Sequence, residues 1–185
     1  MTDILIPDDY LDKFFKLDWF DVYCGLKYKN ISCTYAINKA KNELQNENCL
    51  DREILTNLSS LMVNEQTKII DLVIDLGKLL GVENIDEEEI TNKWHYIIMK
   101  YIYDSPDVFP DQIQVAQEYA KDWNYPPEIR LFTNPYIDSE YYPGSADDVK
   151  KMRFKYWKQY LDETKEEYGW RTFKDFLKHE GISSS

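Results

Sequence analysis

Histidine and glycine are scarce in this sequence, with two of the first and six of the second in 185 residues. His95 and His179 stand far apart, and neither has a cysteine or carboxylate at ligand spacing, so no metal is expected. Neither Gly-x-x-x-x-Gly-Lys nor Gly-x-Gly-x-x-Gly occurs, which removes the usual phosphate cradles; no cofactor is expected. The cysteines Cys24, Cys33 and Cys49 are odd in number and lack Cys-x-x-Cys spacing, against both a disulfide framework and a zinc site. Cys24 and Cys33 fall inside apolar patterns, where a thiol packs as a small hydrophobe, and a reducing cytoplasm is the simplest home. No Gly-x-Ser-x-Gly elbow and no activated-cysteine motif is present, so the chain is not expected to be an enzyme. Long apolar runs are missing too. Nothing approaches the roughly 20 residues of a membrane span, and the aspartate-rich first twelve residues carry no basic, apolar signal peptide.

What the chain has in excess is negative charge and aromatic rings. The balance of 22 basic against 34 acidic residues gives a net charge of −12. It is uneven: residues 145–185 carry nine basic and eight acidic side chains, and residues 1–144 carry 13 and 26. Such a field repels nucleic acid, whose binding depends on neutralised phosphates, and attracts basic partners. The same charge also serves plain solubility. Aromatics reach 15%, including fifteen tyrosines and five tryptophans, residues that suit interfaces and cores alike.

Apolar spacing is helical throughout, and helix signals punctuate it. Pro7 opens the first helix; Asp18, Ser32 and Asp51 are the caps of the next three. A fifth helix spans about residues 64–80 and stops at Gly81. Asp86 and Glu89 form a capping box for a sixth that carries Trp94, Ile97, Ile98, Tyr101 and Ile102 and leaves only a narrow polar stripe, so it is the expected central helix. His95, on its flank, is read as a satisfied histidine at the core edge. A helix over about residues 110–122 follows, then a Tyr/Pro-rich loop from 124 to 144. Ser145 and Asp148 make another capping box, and a last helix covers Trp170–His179. No strand alternation of useful length occurs. The expected fold is all-α, a single domain over residues 1–185 of about eight or nine packed helices with one long loop.

Acidic groupings are many. Asp71 with Asp75 and Glu118 with Asp122 share helix faces, and Asp104, Asp107 and Asp111 surround prolines without the ligand order of a calcium loop. The segment singled out for partner binding is the Tyr/Pro stretch: Trp123, Tyr125, Tyr136, Asp138, Glu140, Tyr141 and Tyr142. Prolines stiffen it before binding, and tyrosines beside carboxylates suit a basic protein surface. The plainer reading is a strap across the bundle with its aromatics turned inward.

Several motifs together carry a family resemblance: Ile6-Pro7, the stretch from Leu17 to Leu26, the Ser32 to Ala40 helix, the Asn92 to Tyr103 helix, Tyr119 to Ile129, and Trp157 to Leu161. In this set the chain resembles the bacterial "domain of unknown function 2247" family. That family has no activity or functional residues to carry over. Its members look like small acidic cytoplasmic proteins encoded beside secreted or contact-dependent toxins. The resemblance thus implies an immunity protein, monomeric when free, that neutralises a cognate, basic, nuclease-like toxin domain. The competing expectations are a scaffold or regulatory subunit that uses its aromatics in a homodimer, and an enzyme with acids gathered around His95.

Overall fold

A computed structural model describes residues 3–47, 49–80, 87–134 and 144–168. Among the described residues there are nine helices and no strand, as the helical spacing requires: α1 (Asp8–Phe14), α2 (Trp19–Lys27), α3 (Cys33–Glu43), α4 (Arg52–Ser60), α5 (Gln66–Leu79), α6 (Glu87–Asp104), α7 (Gln112–Asp122), α8 (Arg130–Thr133) and α9 (Ala146–Tyr168). No described helix is long and apolar enough to cross a membrane. The described residues gather into two compact units, residues 3–94 and residues 95–168, so α6 contributes to both.

The capping residues read from the sequence act as such. Asp18 accepts from the backbone N–H of Phe20 and Asp21, and Asp21 returns a carboxylate to the Asp18 N–H, a full capping box. Ser32 caps α3 and Asp51 caps α4 through single bonds of 3.2 and 2.9 Å. Ser145 and Asp148 bond reciprocally at the start of α9. The Gly81 stop, the Asp86 cap and the Trp170–His179 helix lie outside the described residues.

In the first unit α2 packs on α5, and α3 on α4 and α5. Two glycines permit the closest approaches. A Cβ on Gly77 would sit 3.0 Å from the Phe20 ring, and one on Gly25 would sit 2.5 Å from the Trp94 indole. Helix α2 ends in a Schellman turn, with the Asn30 N–H on the Gly25 carbonyl and the Lys29 N–H on Leu26. Lys29 occupies the left-handed position at φ 59°. Asn30 then holds the N-terminal segment: its carbonyl accepts from the Ile6 N–H, and its amide donates to the Ile4 carbonyl. This places Ile4 and Ile6 in the core and sets the direction in which α1 begins.

In the second unit α9 packs on α7 and α8, and α7 on α8. Trp157 stacks on Phe132 at 5.2 Å, and the buried Arg153 donates to the carbonyls of Phe132 and Asn134 at the end of α8. Along α6 every residue from Trp94 to Met99 is buried, in line with the narrow polar stripe of its sequence.

Candidate functional site

The first unit carries a cleft of about 520 Å3. One wall is α1 and its exit, contributing Asp8, Asp12, Phe15, Lys16 and Leu17; the start of α2 supplies Asp18 and Trp19. Opposite stands α3 with Tyr35, Asn38, Lys39, Asn42 and Glu43, continued by Asn46, while Leu50 and Leu80 make an apolar end. Local rules put some of these groups together. Asp8 and Asp12 stand four residues apart on one face of α1, and Tyr35, Asn38 and Asn42 follow at steps of three and four on α3, while Lys16 lies just past the end of α1.

The carboxylates of the cleft are crowded. Burial first, then the neighbouring Asp12 charge, pushes the Asp8 carboxyl above its ordinary range, against a hydrogen bond from Ser32. Asp12 accepts the Tyr35 hydroxyl. Burial raises that phenol's pKa, with the charges of Asp12, Asp21 and Asp8 acting in the same direction. Asp18 is raised as well: burial and the Asp21 charge push it up to about 6, outweighing Lys93 and two backbone N–H donors. Behind it, Lys93 on α6 pairs with Asp21 at 2.5 Å, both nearly out of water. Burial works against the Lys93 ammonium, but Asp21 and Asp18 outweigh it and hold its pKa above the usual lysine value. Trp94 adds an indole bond to the Asp21 carbonyl. Two carboxylates thus share one buried cation, and the cleft keeps an excess of negative charge.

Next to this cluster is a seat for a positive charge. The Trp19 indole N–H donates to Glu43 at 3.0 Å. Lys39 lies over the Trp19 ring, 5.1 Å from its centroid, and its ammonium meets the other oxygen of Glu43 at 2.9 Å.

The sequence-selected segment behaves differently. Trp123 is half-buried, with its ring 5.1 Å from the His95 imidazole in a T-shaped contact. Tyr125 is half-buried at φ 53°, following Asn124 at φ 55° in a Schellman turn that ends α7. Tyr136, Asp138, Glu140, Tyr141 and Tyr142 lie outside the described residues. His95 is hydrogen-bonded through Nδ1 to Glu128 at 2.8 Å, while its buried Nε2 has no partner among the described residues. The other acidic groupings have local work: Asp75 meets Lys78, Glu118 accepts from Gln114, Asp104 pairs with Lys100, and Asp111 caps α7. No group of three or more potential metal ligands forms among the described residues.

Sequence reasoning missed the cleft. Asp18 was legible only as a cap, and Asp8, Asp12, Tyr35 and Glu43 are drawn from two helices that nothing in their spacing pairs. The three- and four-residue steps on α1 and α3 were the available signal. A family model described as "Uncharacterized protein conserved in bacteria (DUF2247)" matches residues 8–165. No curated protein and no solved structure matches the chain.

Proposed function

The chain belongs to the bacterial DUF2247 family, and from that footing we propose that it is a toxin-neutralising immunity protein, binding a basic toxin domain by charge and shape rather than by turning over a substrate. The observation that carries this reading is that Asp8, Asp12 and Asp18 line one cleft, where burial with the Asp12 charge pushes Asp8 above its ordinary range and burial with the Asp21 charge does the same to Asp18. Like charges held together and partly out of water repel one another, and a partner's lysine or arginine entering the cleft relieves that repulsion. At neutral pH a cation entering the cleft therefore meets carboxylates whose charge the free protein holds at a cost. Aromatic and aliphatic walls at Trp19, Tyr35, Leu50 and Leu80 add the apolar contact that anchors an interface.

In this mechanism the carboxylates stand where a nuclease would receive phosphates, or they grip a neighbouring basic surface. The expected partner is the product of the adjacent gene. Co-expression should yield a stable complex, and the chain should protect cells from that product. Charge reversal of Asp8 and Asp12 to lysine should abolish both effects while the helical circular dichroism is retained. An adjacent product that neither binds nor harms unprotected cells would remove the reading.

A further inference from the structure

We propose that the Trp19–Glu43 pair is a side-chain receptor for a partner's cationic residue, and that Lys39 occupies it in the free protein as an internal stand-in. This deepens the partner-binding reading of the same cleft and rests on it for biological meaning.

Three features of the seat recur wherever a protein binds an ammonium or guanidinium. An aromatic face accepts the cation, a carboxylate neutralises it, and a second bond fixes the carboxylate's orientation. Here Trp19 supplies the face, with Lys39 at 5.1 Å, and Glu43 supplies both remaining features. One Glu43 oxygen takes the Lys39 ammonium at 2.9 Å, and the other takes the indole N–H at 3.0 Å. Trp19 is itself buried, so the ring is held in place before any ligand arrives. Lys39, by contrast, reaches the seat from the same helix as Glu43, one turn away, on a long stem that can swing outward. Its hold is that of a partly exposed helical ion pair, which is weak.

The occupant to which the seat commits is a basic side chain on a partner protein. Charge complementarity argues for it: Asp8, Asp12, Asp18 and Glu43 line the same cleft, against Lys16 and Lys39 as its lysines. An arriving arginine gains more from this seat than a lysine does, because a planar guanidinium covers the indole and can still bond Glu43. Lys39 thereby acts as a competitor. It keeps the carboxylate and ring organised in the free protein and must leave when the partner docks.

The unequal effects of two lysines in the cleft make the test. Capped hexa-arginine is titrated into the full chain, and the Trp19 indole N–H resonance, assigned by its loss in Trp19→Phe, is followed by NMR. The peptide should shift that resonance to saturation, and hexa-glutamate should leave it unmoved. Lys39→Met should tighten binding about three- to fivefold by emptying the seat. Lys16→Met removes the same charge from the cleft without touching the seat, and should tighten it by less than twofold. Glu43→Gln, which keeps the side-chain length and can still accept the indole N–H, should weaken binding several-fold. Equal tightening by Lys39→Met and Lys16→Met would reduce the effect to net charge and overturn the seat, as would a Trp19 signal that does not respond. The outcomes separate from those of the neutralisation reading. Peptide response without any partner from the adjacent gene leaves the seat standing, and a tight partner complex with a silent Trp19 removes the seat alone.

Discussion

Replacing Asp18 by asparagine should stabilise the protein at neutral pH and weaken its grip on a basic partner. Asparagine caps a helix as well as aspartate does, so the bonds from Phe20 and Asp21 to this side chain survive the change. What disappears is a negative charge held half-buried beside Asp21. The carboxyl titrates at about 6 in the folded chain against 3.8 for an ordinary aspartate. The fold therefore binds this proton more tightly than the unfolded chain does, so stability falls as pH rises from about 4 to 6 and stays lower above that window. Two units at 1.36 kcal/mol each give about 3 kcal/mol as an upper bound. That figure already contains the attraction to Lys93 and to the two backbone N–H donors, and a neutral asparagine amide buried in the same place bears part of the same desolvation cost, which lowers the gain. A net gain of about 1–2 kcal/mol at pH 7 remains, a rise in melting temperature of roughly 3–6 °C for a chain of this size. Thermal melts of both proteins at pH 7 and pH 4 test the origin of the gain. It should be present at the first pH and vanish at the second, where the wild-type carboxyl is neutral. An advantage equal at both values, or a loss at pH 7, would refute the electrostatic account.

Gly25→Ala sets propensity against packing: an exposed helical glycine would gain about 1 kcal/mol from the change, but the new methyl lands 2.5 Å from the Trp94 ring. Denaturant unfolding should show a net loss of about 1–3 kcal/mol. Lys29→Gly should do the reverse, gaining up to about 1 kcal/mol by relieving a left-handed lysine at φ 59°; the midpoint should move with an unchanged slope. Arg153→Met keeps the aliphatic stem but strips donors from the carbonyls of Phe132 and Asn134. It should cost about 2–4 kcal/mol in the same experiment.

Helix starts were readable because they depend on one side chain and the three residues after it. Asp18, Ser32, Asp51 and Ser145 each make the bonds their positions promised. The stops were harder: Lys29 and Asn124 end helices in left-handed turns that a reader looking for glycine passes over. The four-residue helix α8 was also hidden inside what read as a loop, since Pro126 and Pro127 signal a turn and the burial that holds Phe132 is supplied by Trp157, 25 residues later. The same limit explains the cleft. The Asp21–Lys93 and Trp19–Glu43 pairs span 72 and 24 residues, separations at which local pattern carries no information. The aromatic segment drew attention by composition, and its described rings at Trp123 and Tyr125 are half-buried.

Net charge alone does not account for the cleft. Solubility is served by a carboxylate anywhere on a wet surface, and the chain has many such groups, Asp162 paired with Lys158 among them. It gains nothing from setting Asp8 beside Asp12, or Asp18 beside Asp21, where burial makes the charges of Asp8 and Asp18 less favourable than in water. Asparagine at position 18 would keep the cap and remove the repulsion, so the aspartate is the less stable of two choices that serve the fold. A local choice that works against stability points to a demand from outside the fold. On the proposed reading that demand is a positive charge arriving in the cleft, which would turn the repulsion among these carboxylates into attraction. Hence the two effects of Asp18→Asn belong together. If the variant is more stable and binds a basic partner equally well, the crowding has no use in binding, and the case for the cleft as the contact surface fails with it.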